Sequence, residues 1–77
     1  MNKDRRKRLE DVAAKLEELK SLIEEVRDDE QDAFDNMPES LQGGERGQKM
    51  EDAISAIEEA LDSVEQTKDA IEEAAAE

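Results

Sequence analysis

The chain has no cysteine and no histidine among its 77 residues. Disulfide staples are therefore excluded, and a structural zinc site is not expected without either of its usual ligands. Tryptophan and tyrosine are also missing, and Phe34 is the only aromatic residue. Nucleic-acid bases would find no platform to stack on. Pro38 is the single proline, and the three glycines (Gly43, Gly44 and Gly47) follow close behind it. No run of about 18 apolar residues occurs, so nothing is expected to span a membrane. The first residues are basic but no apolar stretch follows them, so a secretory signal is not expected either. The cytoplasm is the expected location.

What the sequence does contain is charge. Twenty-four acidic residues outweigh eleven basic ones, for a net charge of −13. The balance is uneven: Lys3, Arg5, Arg6, Lys7 and Arg8 against Asp4 give residues 1–8 a local +4, so the other 69 carry −17. An acidic body of this kind repels nucleic acid and anionic lipid and favours basic protein partners.

Hydrophobic periodicity sets the fold class. Leu9, Val12, Leu16, Leu19, Ile23 and Val26 follow one another in steps of 3, 4, 3, 4 and 3, the spacing of a coiled-coil seam. The frame continues through Glu30 and Ala33, and Phe34 falls one position off it. Residues 1–36 contain neither glycine nor proline, so one helix over 3–36 is predicted. Pro38 disfavours the α conformation at Met37 and, with Asn36, marks a stop. A loop over 37–44 follows, in which Pro38 to Gln42 have room for one helical turn, with Leu41 capping the core. A second seam runs through Met50, Ile54, Ile57, Leu61, Val64, Lys68, Ile71 and Ala75. It predicts a helix over 45–74, weakened in its first turn by Gly47.

The fold class is thus all-α, an antiparallel two-helix coiled-coil hairpin forming a single domain. The flanks of the seams agree with that pairing. The second helix carries Glu51, Glu58, Glu65 and Glu72 on one flank and the small residues Ala53, Ala60, Thr67 and Ala74 on the other. Lys20 and Arg27 are expected to meet the glutamates, while Lys15 and Leu22 lay their stems over the small residues. Placing the turn at the proline and glycines gives a register in which facing positions add to 80, such as Leu19 with Leu61 and Ile23 with Ile57. The basic residues 3–8 are expected beside Asp69, Glu72, Glu73 and Glu77. Lys68 is expected to reach Glu65 or Glu72 with its stem packed in the seam.

A single seam leaves one side of each helix pair open to water, and a chain this short buries little of its unfolded surface. Dimerisation into a four-helix bundle is the expected remedy. The core and dimer contacts are predicted at Leu16, Leu19, Leu22, Ile23, Ile54, Ile57, Leu61 and Val64. Phe34, Leu41 and the alanine row are expected to add to the second contact.

Few motifs suggest chemistry. Oxygen-bearing residues from Asp28 to Glu39 fall at several EF-hand loop positions, but Ala33 stands where that loop needs glycine for its sharp turn, so a solvated helix face is expected. Carboxylates are plentiful, yet histidine and cysteine bases and nucleophiles are lacking and a hairpin offers no concave pocket. No catalytic, metal or cofactor residues are assigned, and the chain is not expected to be an enzyme.

The stretch Phe34-Asp35-Asn36-Met37-Pro38-Glu39-Ser40-Leu41-Gln42, followed by Glu45-Arg46-Gly47, resembles a signature of small acidic helical proteins encoded by phages and prophages. The resemblance covers the whole chain in outline and is specific only in the loop. It implies a phage or mobile-element origin and a bacterial host cytoplasm, and it carries over no functional residue.

Two functional readings follow. In the first, a homodimeric protein–protein interaction module binds its partner through a groove or end face, with Phe34, Met37, Leu41 and Arg46 as candidates. In the second, carboxylates projecting from a rigid rod, among them Glu58, Glu59, Asp62, Glu65 and Asp69, imitate the phosphates of DNA and inhibit a host nucleic-acid-binding or defence protein.

Overall fold

The computed structural model describes residues 1–77. Helix α1 spans Lys3–Asp35, a single-turn helix α2 spans Glu39–Gln42, and α3 spans Glu45–Ala75. Helices α1 and α3 fold back on each other as an antiparallel hairpin 59 Å long. No helix is long and apolar enough to cross a membrane.

Local chemistry sets the ends. The Asn2 side chain accepts a hydrogen bond from the Arg5 amide at 2.8 Å, satisfying one of the free donors of the first turn. At the far end Asn36 leaves the helix just before Met37 and Pro38, as expected. Gln42 ties the turn together, its side-chain amide donating to the carbonyl oxygens of Phe34 at 3.0 Å and Met37 at 3.3 Å.

The seam on α3 is the predicted one, with Ile54, Leu61 and Ala75 buried and Met50, Ile57, Val64, Lys68 and Ile71 half-buried. Gly47 extends it by one step and is also buried. It also has a packing role that helix propensity does not reveal. A Cβ on Gly47 would come within 2.6 Å of the Gln42 carbonyl carbon and 2.9 Å of its Cα. The missing side chain is what lets α3 start directly against α2.

On α1 the seam is shifted. The residues that face α3 are Arg6, Leu9, Ala13, Leu16, Lys20, Ile23, Arg27, Glu30 and Phe34, all buried or half-buried. Leu9, Leu16, Ile23 and Glu30 were predicted there. Val12, Leu19, Val26 and Ala33 were too, but all four are exposed. Phe34, one position off the predicted frame, lies in the seam.

The physical reason is that the 9–16–23 line has seam-compatible neighbours on both sides. Burying the line through Val12 and Leu19 would bury more aliphatic surface. Burying the line through Arg6, Ala13, Lys20 and Arg27 lets basic stems pack while their heads reach oxygen atoms of α3 and the surface.

The register moves as well. Cross-helix contacts join Lys20 to Glu65, Glu17 to Lys68 and Arg6 to Glu77. Facing positions in these contacts therefore add to 83–85 rather than 80. Leu41, expected to cap the core, is exposed; the end of the core is closed by Gln42 instead.

Candidate docking face

The shifted seam divides the hairpin into two unlike faces. On one side lie Glu10, Glu17 and Glu24 of α1 and Glu51, Glu58, Glu65 and Glu72 of α3. Two cross-helix ion pairs fix this side: Lys20 Nζ is 2.9 Å from a Glu65 carboxylate oxygen, and Lys68 Nζ is 3.1 Å from Glu17 and 3.5 Å from Glu72. Lys68 thus behaves as expected toward Glu72, with Glu17 as a second and closer partner. Arg27 does not reach α3 and bonds its neighbour Asp28 at 3.1 Å. Of the basic cluster at residues 3–8, Arg6 reaches across, donating to the main-chain oxygen of Glu77 at 2.8 Å. Arg8 lies 3.8 Å from Asp4 on its own helix.

The ion pairs leave a titration signature. Hydrogen bonding and charge from Lys20 hold the Glu65 carboxyl below its ordinary value, and Glu65 in turn raises Lys20. Hydrogen bonding to Glu17 raises Lys68. A depressed carboxyl contributes stability that is present above its unfolded pKa of about 4.3 and is lost as pH falls through the folded value. The two raised lysines contribute stability that is complete below about pH 10.4 and is lost as pH rises through their folded values. Across the neutral range these contributions are constant. Carboxyl-detected NMR titration should place Glu65 below an exposed glutamate, and Lys20→Met should move it back up; an unchanged Glu65 titration in that variant would rule out the pairing.

The opposite face is apolar. Val12, Leu19 and Val26 project from α1 with relative exposures of 42, 50 and 57%, and Leu22 beside them is 56% exposed. Along the same side of α3 run Ala53, Ala56, Ala60, Ser63, Thr67, Ala70 and Ala74, nearly all exposed. Both ends continue the face. Met1 lines shallow depressions with Leu9 and Val12 and with Ala70 and Ala74. Leu41 lines another with Ala33, Met37 and Arg46. All six large exposed apolar side chains of the molecule (Met1, Val12, Leu19, Leu22, Val26 and Leu41) therefore share one face. Scattered exposed leucines are ordinary, but a contiguous stripe marks an interaction surface.

The residues singled out from sequence are distributed accordingly. Met37, Leu41 and Arg46 are brought together at the loop end. Phe34 is not with them; it is half-buried between the helices. Glu58, Glu59, Asp62 and Asp69 are exposed along α3, whereas Glu65 is half-buried against Lys20. Among the predicted core residues, Leu16, Ile23, Ile54, Ile57, Leu61 and Val64 lie between the helices. Leu19 was expected there too and is on the apolar face. Leu22 and Lys15, expected over the small residues of α3, are both exposed. No family model, curated protein or solved structure matches the chain.

Proposed function

We propose that this chain is a non-enzymatic protein–protein interaction module that works as a small acidic homodimer. In this reading it is of phage or mobile-element origin, acts in the bacterial host cytoplasm, and uses no cofactor. One observation carries it: the hairpin buries only five residues and leaves its six large exposed apolar side chains on one face. Val12, Leu19, Leu22 and Val26 are each about half exposed, so covering the remainder of each stabilises by half of the ~1.5–3 kcal/mol for full burial. A hairpin this thin gains much of its stability when that face is covered. Association leaves the acidic side and the loop end free for a protein partner, and their charge selects a basic one.

Charge density favours a second reading, a DNA-mimic inhibitor of a nucleic-acid-binding or defence protein. Thirteen net negative charges over 59 Å give one per about 4.5 Å for a single hairpin, or one per about 2.3 Å for two side by side, against one per about 1.7 Å for duplex DNA. Only the dimer approaches the duplex. Capture of host proteins by the wild-type chain and by E58Q/E59Q/D62N/D69N, each at low and moderate salt, tests both readings. A mimic loses its target in the variant and steeply with salt. Docking on the loop end survives both changes and is lost in Leu41→Ala. Capture of no protein under any of these conditions contradicts the module itself. Direct nucleic-acid binding is not part of either reading, and a gel shift with random duplex should show no retardation.

A further inference from the structure

Resting on the dimer reading, we infer that the apolar face is complementary to itself about a two-fold axis parallel to the rods, so that α1 of each copy lies on α3 of the other and both loops sit at one end.

The face is made of unlike halves. Helix α1 supplies a ridge of Val12, Leu19, Leu22 and Val26, and α3 supplies a strip of small residues from Ala53 to Ala74. In an isologous contact, whatever a residue touches on the partner touches it in return. A surface with a ridge on one half and a trough on the other meets this condition when the axis sets ridge on trough. An axis that sets α1 on α1 places ridge on ridge and strip on strip, and leaves unequal spacings along the two contacts.

Heights along the rod agree. The Lys20–Glu65 and Glu17–Lys68 pairs show that level positions on α1 and α3 add to 85. An axis parallel to the rods preserves these levels between copies. Val12 then falls between the partner's Ala70 and Ala74, and Leu19 between the partner's Ser63 and the partner's Thr67. Leu22 comes level with the partner's Ser63, and Val26 falls between the partner's Ala56 and the partner's Ala60. Val12, Leu19 and Val26 each meet a gap between two small residues, as in knobs-into-holes packing, and Leu22 meets the small side chain of the partner's Ser63.

Charges follow the same arrangement. Arg8 comes level with the partner's Glu77, one turn from the partner's Glu73, and Lys49 comes level with the partner's Asn36, one residue from the partner's Asp35. The two loops then present Met37, Leu41 and Arg46 in duplicate on one end of the bundle, a composite surface for a single partner.

Spin labels read the arrangement directly, and a chain without cysteine can be labelled at one chosen position. Gly43 suits this, because a side chain there meets nothing within 4 Å. Exposed Lys3, at the other end of the rod, provides a second site. Full-length Gly43→Cys and Lys3→Cys chains, each labelled and measured by pulsed electron spin resonance, should both give intermolecular distances within about 30 Å, since the bundle neighbours are about 10 Å apart. Distances near 50 Å or more, set by a rise of about 1.5 Å per residue along α1, overturn the parallel axis while leaving the dimer intact. Absence of any intermolecular coupling overturns the dimer as well.

Discussion

Leu19→Glu should weaken self-association by a factor between about ten and a few hundred. Leu19 is half exposed in the single hairpin, and glutamate has nearly the helix propensity of leucine. In an isolated hairpin the substitution would therefore shift stability by no more than about 0.5 kcal/mol, as at an ordinary surface position. In a dimer the side chain is covered and occurs twice. Leu19 is already half covered in the single hairpin, so losing the newly covered half of two leucines costs about 1.5–3 kcal/mol, and the buried carboxylates add a desolvation penalty. Sedimentation equilibrium of wild type and variant over the same concentrations measures the difference. Equal dissociation constants would remove the apolar face from the contact.

Gly47→Ala should lower the melting temperature by about 10 °C, against what helix propensity alone implies. In an exposed helix interior, alanine in place of glycine gains about 1 kcal/mol. Here the new Cβ would meet the backbone of Gln42, with its carbonyl carbon at 2.6 Å and its Cα at 2.9 Å. Backbone gives way less easily than a flexible side chain. Relieving the clash means moving α2 away, which disturbs the Gln42 hydrogen bonds to Phe34 and Met37. Overpacking of this kind costs about 1–3 kcal/mol, and in a domain of this size each kcal/mol is worth about 4–8 °C. Gly43→Ala is the control, because its Cβ would meet open space and its φ of −81° suits alanine. It should be neutral or slightly stabilising. A Gly47→Ala chain that melts at or above wild type would show that the turn is not tightly packed.

The helical hairpin was legible from heptad spacing and from Pro38 with its trailing glycines, because those signals are local and mutually consistent. The α3 seam was legible for the same reason: Ile54, Ile57, Leu61 and Val64 have no apolar competitor beside them larger than alanine. The α1 seam was not. Val12 and Leu19 on one side of the central line outweigh Ala13 and Lys20 on the other by hydrophobicity, so apolar spacing alone selects the wrong half. Apolar spacing does not register the complement on the partner helix, whose Glu65 takes Lys20 and whose Lys68 takes Glu17. That information lies some 50 residues away in sequence.

The packing role of Gly47 was not legible because propensity describes an isolated helix and not the turn packed against it. The docking face was half visible. Leu22 stood outside the predicted seam and Ala53, Ala60 and Ala74 formed a row, but the face became continuous only once Val12, Leu19 and Val26 turned outward. An apolar stripe on α1 too wide for a single seam was the signal that could have revealed it.

Sedimentation equilibrium of the unmodified protein from low micromolar to high micromolar concentration tests the central proposal most directly. A hairpin that must cover its apolar face should approach twice the 8.7 kDa chain mass as concentration rises. A mass of 8.7 kDa throughout would mean that Val12, Leu19, Leu22 and Val26 stay in water, and self-association through that face would be contradicted.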